Sequence, residues 1–162
     1  MQKKICLLGG FAVGKTSLIS RYVHSMFSDR YLTTIGVKIE KKRVDVGRQI
    51  DLVIWDIYGE DDFQKLRLSY LRGAAGYLLV ADGTRRATLD TAVMLRATAE
   101  QAIGSVPFLL VINKADLHST WEIDEAVLQE YAHRGWPIVR TSAKTGDGVE
   151  SAFTTLAKEM LG

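Results

Sequence analysis

The eight residues Gly9-Gly10-Phe11-Ala12-Val13-Gly14-Lys15-Thr16 constrain this chain more than any other stretch of it. They fit the pattern G-x-x-x-x-G-K-[ST], which needs a strand ending in a tight glycine turn and a helix beginning directly after it. Both flanks comply. The apolar run Ile5-Cys6-Leu7-Leu8 leads in, and Leu18, Ile19 and Tyr22 recur at helical spacing on the way out. Glycines let the backbone curl so that successive N–H groups converge on an anion, and the positive end of the helix dipole adds to the attraction. In such a loop Gly10, Ala12, Val13 and Gly14 supply backbone to phosphate, and Ser17 continues the same turn. Lys15 reaches the β- and γ-phosphates, and the Thr16 hydroxyl is a Mg²⁺ ligand. A glycine-rich turn with no ligand is the plainer reading of the same residues.

The remainder alternates in the same way. Short apolar runs at residues 5–8, 52–55, 76–81, 108–112 and 138–140 read as buried parallel strands. Amphipathic patterns at 16–25, 63–71, 88–103, 123–134 and 148–161 read as helices. Residues 37–46 differ, because apolar and polar positions alternate there. Gly47-Arg48 then turns the chain back into residues 50–55, which makes an antiparallel hairpin with 37–46 as an edge strand. Such alternation implies an α/β fold, a mostly parallel sheet with helices on both faces and ligands bound beyond the carboxyl ends of the strands. With 162 residues, two prolines and no low-complexity segment, the chain reads as a single domain spanning 1–162.

Composition removes several classes. A net charge of +2 is too mild to argue for a nucleic-acid partner, and the basic runs at 38–43 and Arg85-Arg86 read as solvated faces or turns. No stretch approaches the roughly 18 apolar residues that span a bilayer. There is no C-terminal cysteine to prenylate and no glycine at position 2 to myristoylate, so no direct membrane anchor is expected. A lone cysteine, Cys6, excludes an internal disulfide and suits a reducing compartment, hence a cytoplasmic protein; in its apolar run it reads as a buried structural thiol.

Four further segments fall at strand ends. Asn113-Lys114-Ala115-Asp116 follows the run 108–112. A carboxylate at Asp116 accepts hydrogen bonds from the N1–H and N2–H₂ of guanine, a donor pair adenine lacks, so adenine would leave it unpaired. The Lys114 stem lies against the base and Asn113 ties the loop to the phosphate loop. Alone, N-K-x-D also describes an Asx-type turn. Thr141-Ser142-Ala143-Lys144 completes the pocket, with the Ala143 N–H donating to guanine O6; alone it is ordinary capping chemistry. In Trp55-Asp56-Ile57-Tyr58-Gly59, Asp56 is placed to hold Mg²⁺ through a water and the Gly59 N–H to bond a γ-phosphate oxygen. In Tyr31-Leu32-Thr33-Thr34-Ile35-Gly36, the Thr34 hydroxyl is a Mg²⁺ ligand that depends on γ-phosphate, and Phe27 upstream stacks on the base or else belongs to the core.

GGFAVGKT, TTIGV, WDIYG, YLRGAAGYLLVAD, NKAD and TSAK stand in the order of the small GTPases of the Ras superfamily, and the chain resembles the Rab branch most. That resemblance covers the chain end to end. It implies a P-loop G domain with a six-stranded sheet, five helices and two switch loops at about 29–38 and 56–72. It also implies GTP and GDP binding with Mg²⁺, slow hydrolysis, and protein effectors and regulators recognising the switch loops. Ile39, Trp55, Phe63, Leu66 and Tyr70 there form either an apolar effector patch or part of the core.

The chain departs from the family around the γ-phosphate. Glu60 stands where a glutamine usually orients the attacking water, so Glu60, Lys15 and Gly59 are the candidate catalytic residues. Phe11 and Tyr58 replace small residues. Two rings there either crowd the space that an activating arginine enters or swing outward as a partner patch. A GTPase with an altered hydrolytic pocket is the expected function; the alternative is a non-hydrolysing, nucleotide-bound interaction module. A P-loop kinase or ATPase fits Asp116 poorly.

Overall fold

The computed structural model describes residues 1–25, 37–57 and 68–162. Six strands, β1 (Gln2–Gly9), β2 (Val37–Asp45), β3 (Gln49–Ile57), β4 (Ala74–Asp82), β5 (Phe108–Asn113) and β6 (Ile138–Arg140), form one sheet in the order β2-β3-β1-β4-β5-β6. Every pairing is parallel except β2 with β3, whose register runs from Val37↔Ile57 to Asp45↔Gln49. The α/β architecture with one antiparallel edge strand is the one the alternation implied.

Four α-helices lie among the described residues: α1 (Lys15–His24), α2 (Arg86–Ile103), α3 (Glu125–His133) and α4 (Val149–Met160). Short 3₁₀ turns span Leu68–Leu71 and Ala115–Thr120. Of the helix expected at 63–71, residues 63–67 lie outside the described residues, and its end is the first of these turns. Helix α3 starts at Glu125 rather than 123 because the Asp124 carboxylate accepts from the Val127 N–H at 3.0 Å and caps it.

The central strand β1 is buried on both faces over Ile5–Leu8, which is why it reads as an unbroken apolar run. Ile5, Leu7, Leu52, Leu78 and Val111 pack toward Leu18 of α1 and Phe153 of α4. Cys6, Leu8, Leu79 and Ile112 pack on the opposite side with Leu89 of α2 and Leu128 of α3. Each fully buried side chain of this size contributes about 1.5–3 kcal/mol. Tyr22 of α1 stacks on Phe153 of α4 with ring centroids 4.1 Å apart, locking the two helices on one face. Burial pushes the Cys6 thiol up to about 11, against a smaller lowering by Lys4, as suits a structural thiol.

This topology makes a rim. The carboxyl ends of β1, β3, β4, β5 and β6 all emerge on one side of the sheet. Strand order also reverses at β1, which has β3 on one side and β4 on the other, so a crevice opens above its end.

Candidate functional site

The loop leaving β1 fills that crevice. Gly14 takes φ 101° at the start of α1, and a methyl group there would stand 2.3 Å from Asn113 Nδ2, so conformation and space both demand glycine. Ala12 is also left-handed, at φ 59°, a conformation that costs an L-residue about 1–2 kcal/mol. Left-handed residues at these positions curl the backbone into an anion-binding nest.

The loop's carbonyls are held by side chains. Lys15, buried in the first turn of α1, donates from Nζ to the Gly9 and Gly10 carbonyls at 3.0 and 3.1 Å. Three donors arrive from the β4 and β5 side: Arg85 Nη2 on the Phe11 carbonyl at 2.7 Å, Lys114 Nζ on that of Ala12 at 3.3 Å, and Asn113 Nδ2 on that of Val13 at 3.0 Å. A trans peptide is planar, so tying back three carbonyls turns the amides of Ala12, Val13 and Gly14 the other way. Those amides, with the N-terminus of α1, form a donor surface suited to phosphate.

Thr16 and Asp56 meet across the crevice. Asp56, buried near the end of β3, accepts from Thr16 Oγ1 at 2.5 Å. Two hard oxygens from protein suit Mg²⁺, which takes one or two protein ligands and fills its octahedron with waters and phosphate oxygens. Ser17 follows in the same turn of α1.

The loops after β5 and β6 are joined. Asn113, buried at the end of β5, accepts on Oδ1 from Thr141 Oγ1 at 3.0 Å and from the Ala143 N–H at 3.4 Å. Asp116 is exposed and accepts from Ser142 Oγ at 2.8 Å. Both Asp116 and the Ala143 N–H were assigned to a base from the sequence; the carboxylate stands at the loop surface, and that N–H makes a long bond to Asn113 Oδ1. Lys144 is exposed beside them. Arg21 of α1 donates to the Ala143 carbonyl at 2.8 Å and also to that of Lys144, so the first helix braces this loop.

Several supporting residues carry no motif. Asp82 ends β4 with no exposed surface, and its carboxylate accepts from the Thr84 N–H at 2.9 Å, Thr84 Oγ1 at 2.7 Å, Arg85 Nε at 3.0 Å and Lys114 Nζ at 2.7 Å. Burial alone would raise its pKa; the bonds from Lys114, Thr84 and Arg85 outweigh that and hold the carboxyl below its ordinary range. The reading of Arg85-Arg86 as a solvated turn is thus corrected at Arg85, whose fork joins Asp82 to the phosphate loop. Trp121 lies on Gly83, and its Nε1 donates to the Lys114 carbonyl at 2.8 Å. A signal for Asp82 existed: a carboxylate closing an apolar run occupies the ligand-facing end of a parallel strand.

Phe27, Thr34, Tyr58, Gly59 and Glu60, with Phe63 and Leu66, lie outside the described residues. The structure brings together Lys15, Thr16 and Asp56 on one side, and Asn113, Lys114, Asp116, Ser142 and Ala143 on the other. Gly10, Ala12, Val13 and Gly14 run between them.

Comparison with known proteins gives the same answer from the whole chain. The sequence matches the family model described as the Ras family over residues 4–162. It is 34% identical to the Ras-related protein Rab-13 of Canis lupus familiaris over 161 residues, 98% of this chain and 79% of that protein. It is 36% identical to the Ras-related protein SEC4 of Saccharomyces cerevisiae over 160 residues, 96% of this chain and 73% of that protein.

Proposed function

The chain belongs to the Ras family of small GTPases, and on that premise we propose that it is a Rab-like switch whose crevice above β1 binds GTP or GDP with Mg²⁺ and hydrolyses GTP slowly. The observation that carries this reading is the set of amides at Ala12, Val13 and Gly14, turned into the crevice because their partner carbonyls are tied back by Arg85, Lys114 and Asn113.

The nucleotide's two ends meet different chemistry. Asp116, steadied by the Ser142 hydroxyl, accepts from N1–H and N2–H₂ of guanine and rejects adenine, which has no such pair. Lys15 Nζ shares its protons between loop carbonyls and the β,γ-phosphate oxygens, while the inward amides take the remaining charge. Thr16 and Asp56, with Thr34, would hold Mg²⁺, which neutralises charge on the β- and γ-phosphates when bound.

Glu60 sets the rate. A water attacks the γ-phosphoryl group and GDP departs; the Glu60 carboxylate orients that water and accepts its proton. Unlike a neutral amide, it adds negative charge where negative charge develops, which opposes part of the stabilisation it gives. Rings at positions 11 and 58, where small residues are usual, would leave less room for an activating arginine. Proteins that read the switch loops at 29–38 and 56–72 meet Ile39, 46% exposed, beside Trp55 and Tyr70, whose rings are 6.2 Å apart.

Chromatography of the nucleotide released from purified protein, followed by single-turnover GTP hydrolysis of wild type and Glu60→Gln, tests the reading. Bound GDP and a several-fold rate change in Glu60→Gln are expected. Retained GTP with no turnover would instead identify a non-hydrolysing module, and an unchanged rate in Glu60→Gln would remove Glu60 from the mechanism.

A further inference from the structure

We propose that Arg85 is a positioning residue of the phosphate loop: its guanidinium bridges the Phe11 carbonyl to buried Asp82 and so holds the Ala12 amide on the β-phosphate. The inference rests on the crevice being the GTP/GDP site.

The anchor is rigid. Four donors reach the Asp82 carboxylate, two from Thr84 and one each from Arg85 and Lys114, and the residue has no exposed surface. The Arg85 backbone is also held: its N–H donates to the Asp82 carbonyl at 3.0 Å, and its own carbonyl accepts from Thr88 Oγ1 at 2.7 Å and from the Thr88 N–H at 3.1 Å. Thr88 is itself buried, and its hydroxyl oxygen accepts from the Asp82 N–H at 2.8 Å and lies 3.1 Å from the Asp82 carbonyl. The fork of Arg85 therefore leaves a fixed base with Nε on Asp82 and Nη2 on Phe11, two acceptors met by two separate nitrogens held in one plane, where a lysine at this position would have to meet both from one nitrogen.

The loop needs such a hold. Ala12 sits at φ 59°, where alanine does not rest unaided, and the two carbonyls flanking it, those of Phe11 and Ala12, are the ones taken by Arg85 and Lys114. Both cations converge on Asp82 Oδ2, at 3.0 and 2.7 Å. One buried carboxylate thus fixes both peptide planes around the strained residue. A cationic donor on the Phe11 carbonyl also polarises that peptide, which makes the Ala12 N–H a stronger donor to an anion.

Release of mant-GDP, chased with excess GDP, reads the effect. Wild type must first capture and retain mant-GDP; failure there would refute the nucleotide reading itself. Arg85→Ala should then release mant-GDP roughly tenfold faster, the loss expected for one charge-assisted hydrogen bond. Arg85→Lys should fall between the two, since one nitrogen in place of two keeps the charge but holds Asp82 and Phe11 less closely together. Preference for GDP over IDP, which lacks the N2 amino group, should stay at the wild-type value in both variants, because Asp116 and Ser142 are untouched. Wild-type release from Arg85→Ala would overturn the proposal. So would release from Arg85→Lys as fast as from Arg85→Ala, or a fall in GDP over IDP preference matching the loss of retention.

Discussion

Replacing Gly83 by alanine should destabilise the protein by about 2–4 kcal/mol, and should do so only while Trp121 is present. A methyl group at Gly83 would stand 2.1 to 2.5 Å from three atoms of the Trp121 ring. Carbon atoms rest at about 3.5–4.0 Å, so something must retreat by more than an ångström. The backbone is poorly placed to yield: the Gly83 N–H donates to the Asn113 carbonyl at 3.0 Å, and its carbonyl accepts from Glu122 and Ile123 at 2.8 and 3.2 Å. The indole must move instead, and the 2.8 Å bond from Trp121 Nε1 to the Lys114 carbonyl opens toward roughly 4 Å, beyond a hydrogen bond. Overpacking costs about 1–3 kcal/mol and the lost bond about 1 kcal/mol. At this chain length that is a fall in Tm of about 5–15 °C. Urea unfolding followed by far-ultraviolet circular dichroism, at a fixed saturating GDP concentration and corrected for each variant's own affinity, measures the cost. In a Trp121→Ala background the same glycine substitution should cost within about 0.5 kcal/mol of nothing. Equal losses in the two backgrounds, or a loss below 1 kcal/mol in the wild-type one, would refute this account of why the position is glycine.

Two other outcomes follow from the site. Asp116→Asn keeps an oxygen for the Ser142 hydroxyl but presents an amide donor, so it should lose roughly a hundredfold or more in GDP affinity while gaining affinity for xanthosine diphosphate, whose C2 carbonyl accepts; competition against mant-GDP reads both. Asp82 should give the stability an acid limb. Its folded pKa is depressed, so its contribution is full above the unfolded value of about 3.9 and is lost as pH falls through the lower folded value. Asp82→Asn, which leaves Arg85 and Lys114 without their shared carboxylate, should cost about 3 kcal/mol at pH 7, and unfolding measured down to about pH 2.5 should show that gap narrowing below about pH 4. A gap constant with pH would mean that the carboxylate's charge contributes nothing.

The fold was legible where burial was uniform. Strands β1, β4 and β5 are buried on both faces and stand out as apolar runs, and edge strand β2 keeps one face to solvent and shows the alternation of a hairpin. Boundaries were less legible because they depend on single side chains. Asp124 moves the start of α3, and Lys114 at φ 72° admits a 3₁₀ turn over Ala115–Thr120 that no periodicity announced. Within the site, the residues that face a ligand were visible because a motif fixes their spacing. Of those that face the protein only Asn113 was, through its motif; the others were not, since their partners lie far off along the chain: Arg85 reaches back to Phe11, and Arg21 reaches forward to Ala143. Nothing local to Arg85-Arg86 distinguishes a solvated pair from one solvated residue and one clamp.

Motifs that read as separate modules are mechanically one body, and Asn113 is the joint. Its Nδ2 holds the Val13 carbonyl of the phosphate loop, while its Oδ1 holds the Thr141 hydroxyl and the Ala143 amide of the base loop. Lys114, the next residue, does the same from Ala12 to Asp82. Asp116, by contrast, bonds only across to Ser142 in the contacts resolved for it, at the exposed end of the loop. Loss of Asp116 therefore alters which base is accepted and leaves the phosphate loop's backing in place. Loss of Asn113 frees a buried hydroxyl, an amide and a carbonyl at once, at about 1–3 kcal/mol for each group left buried and unpaired. Its effect must then appear at the phosphates as much as at the base, because the tie to the phosphate loop read from the sequence is only one of its three bonds.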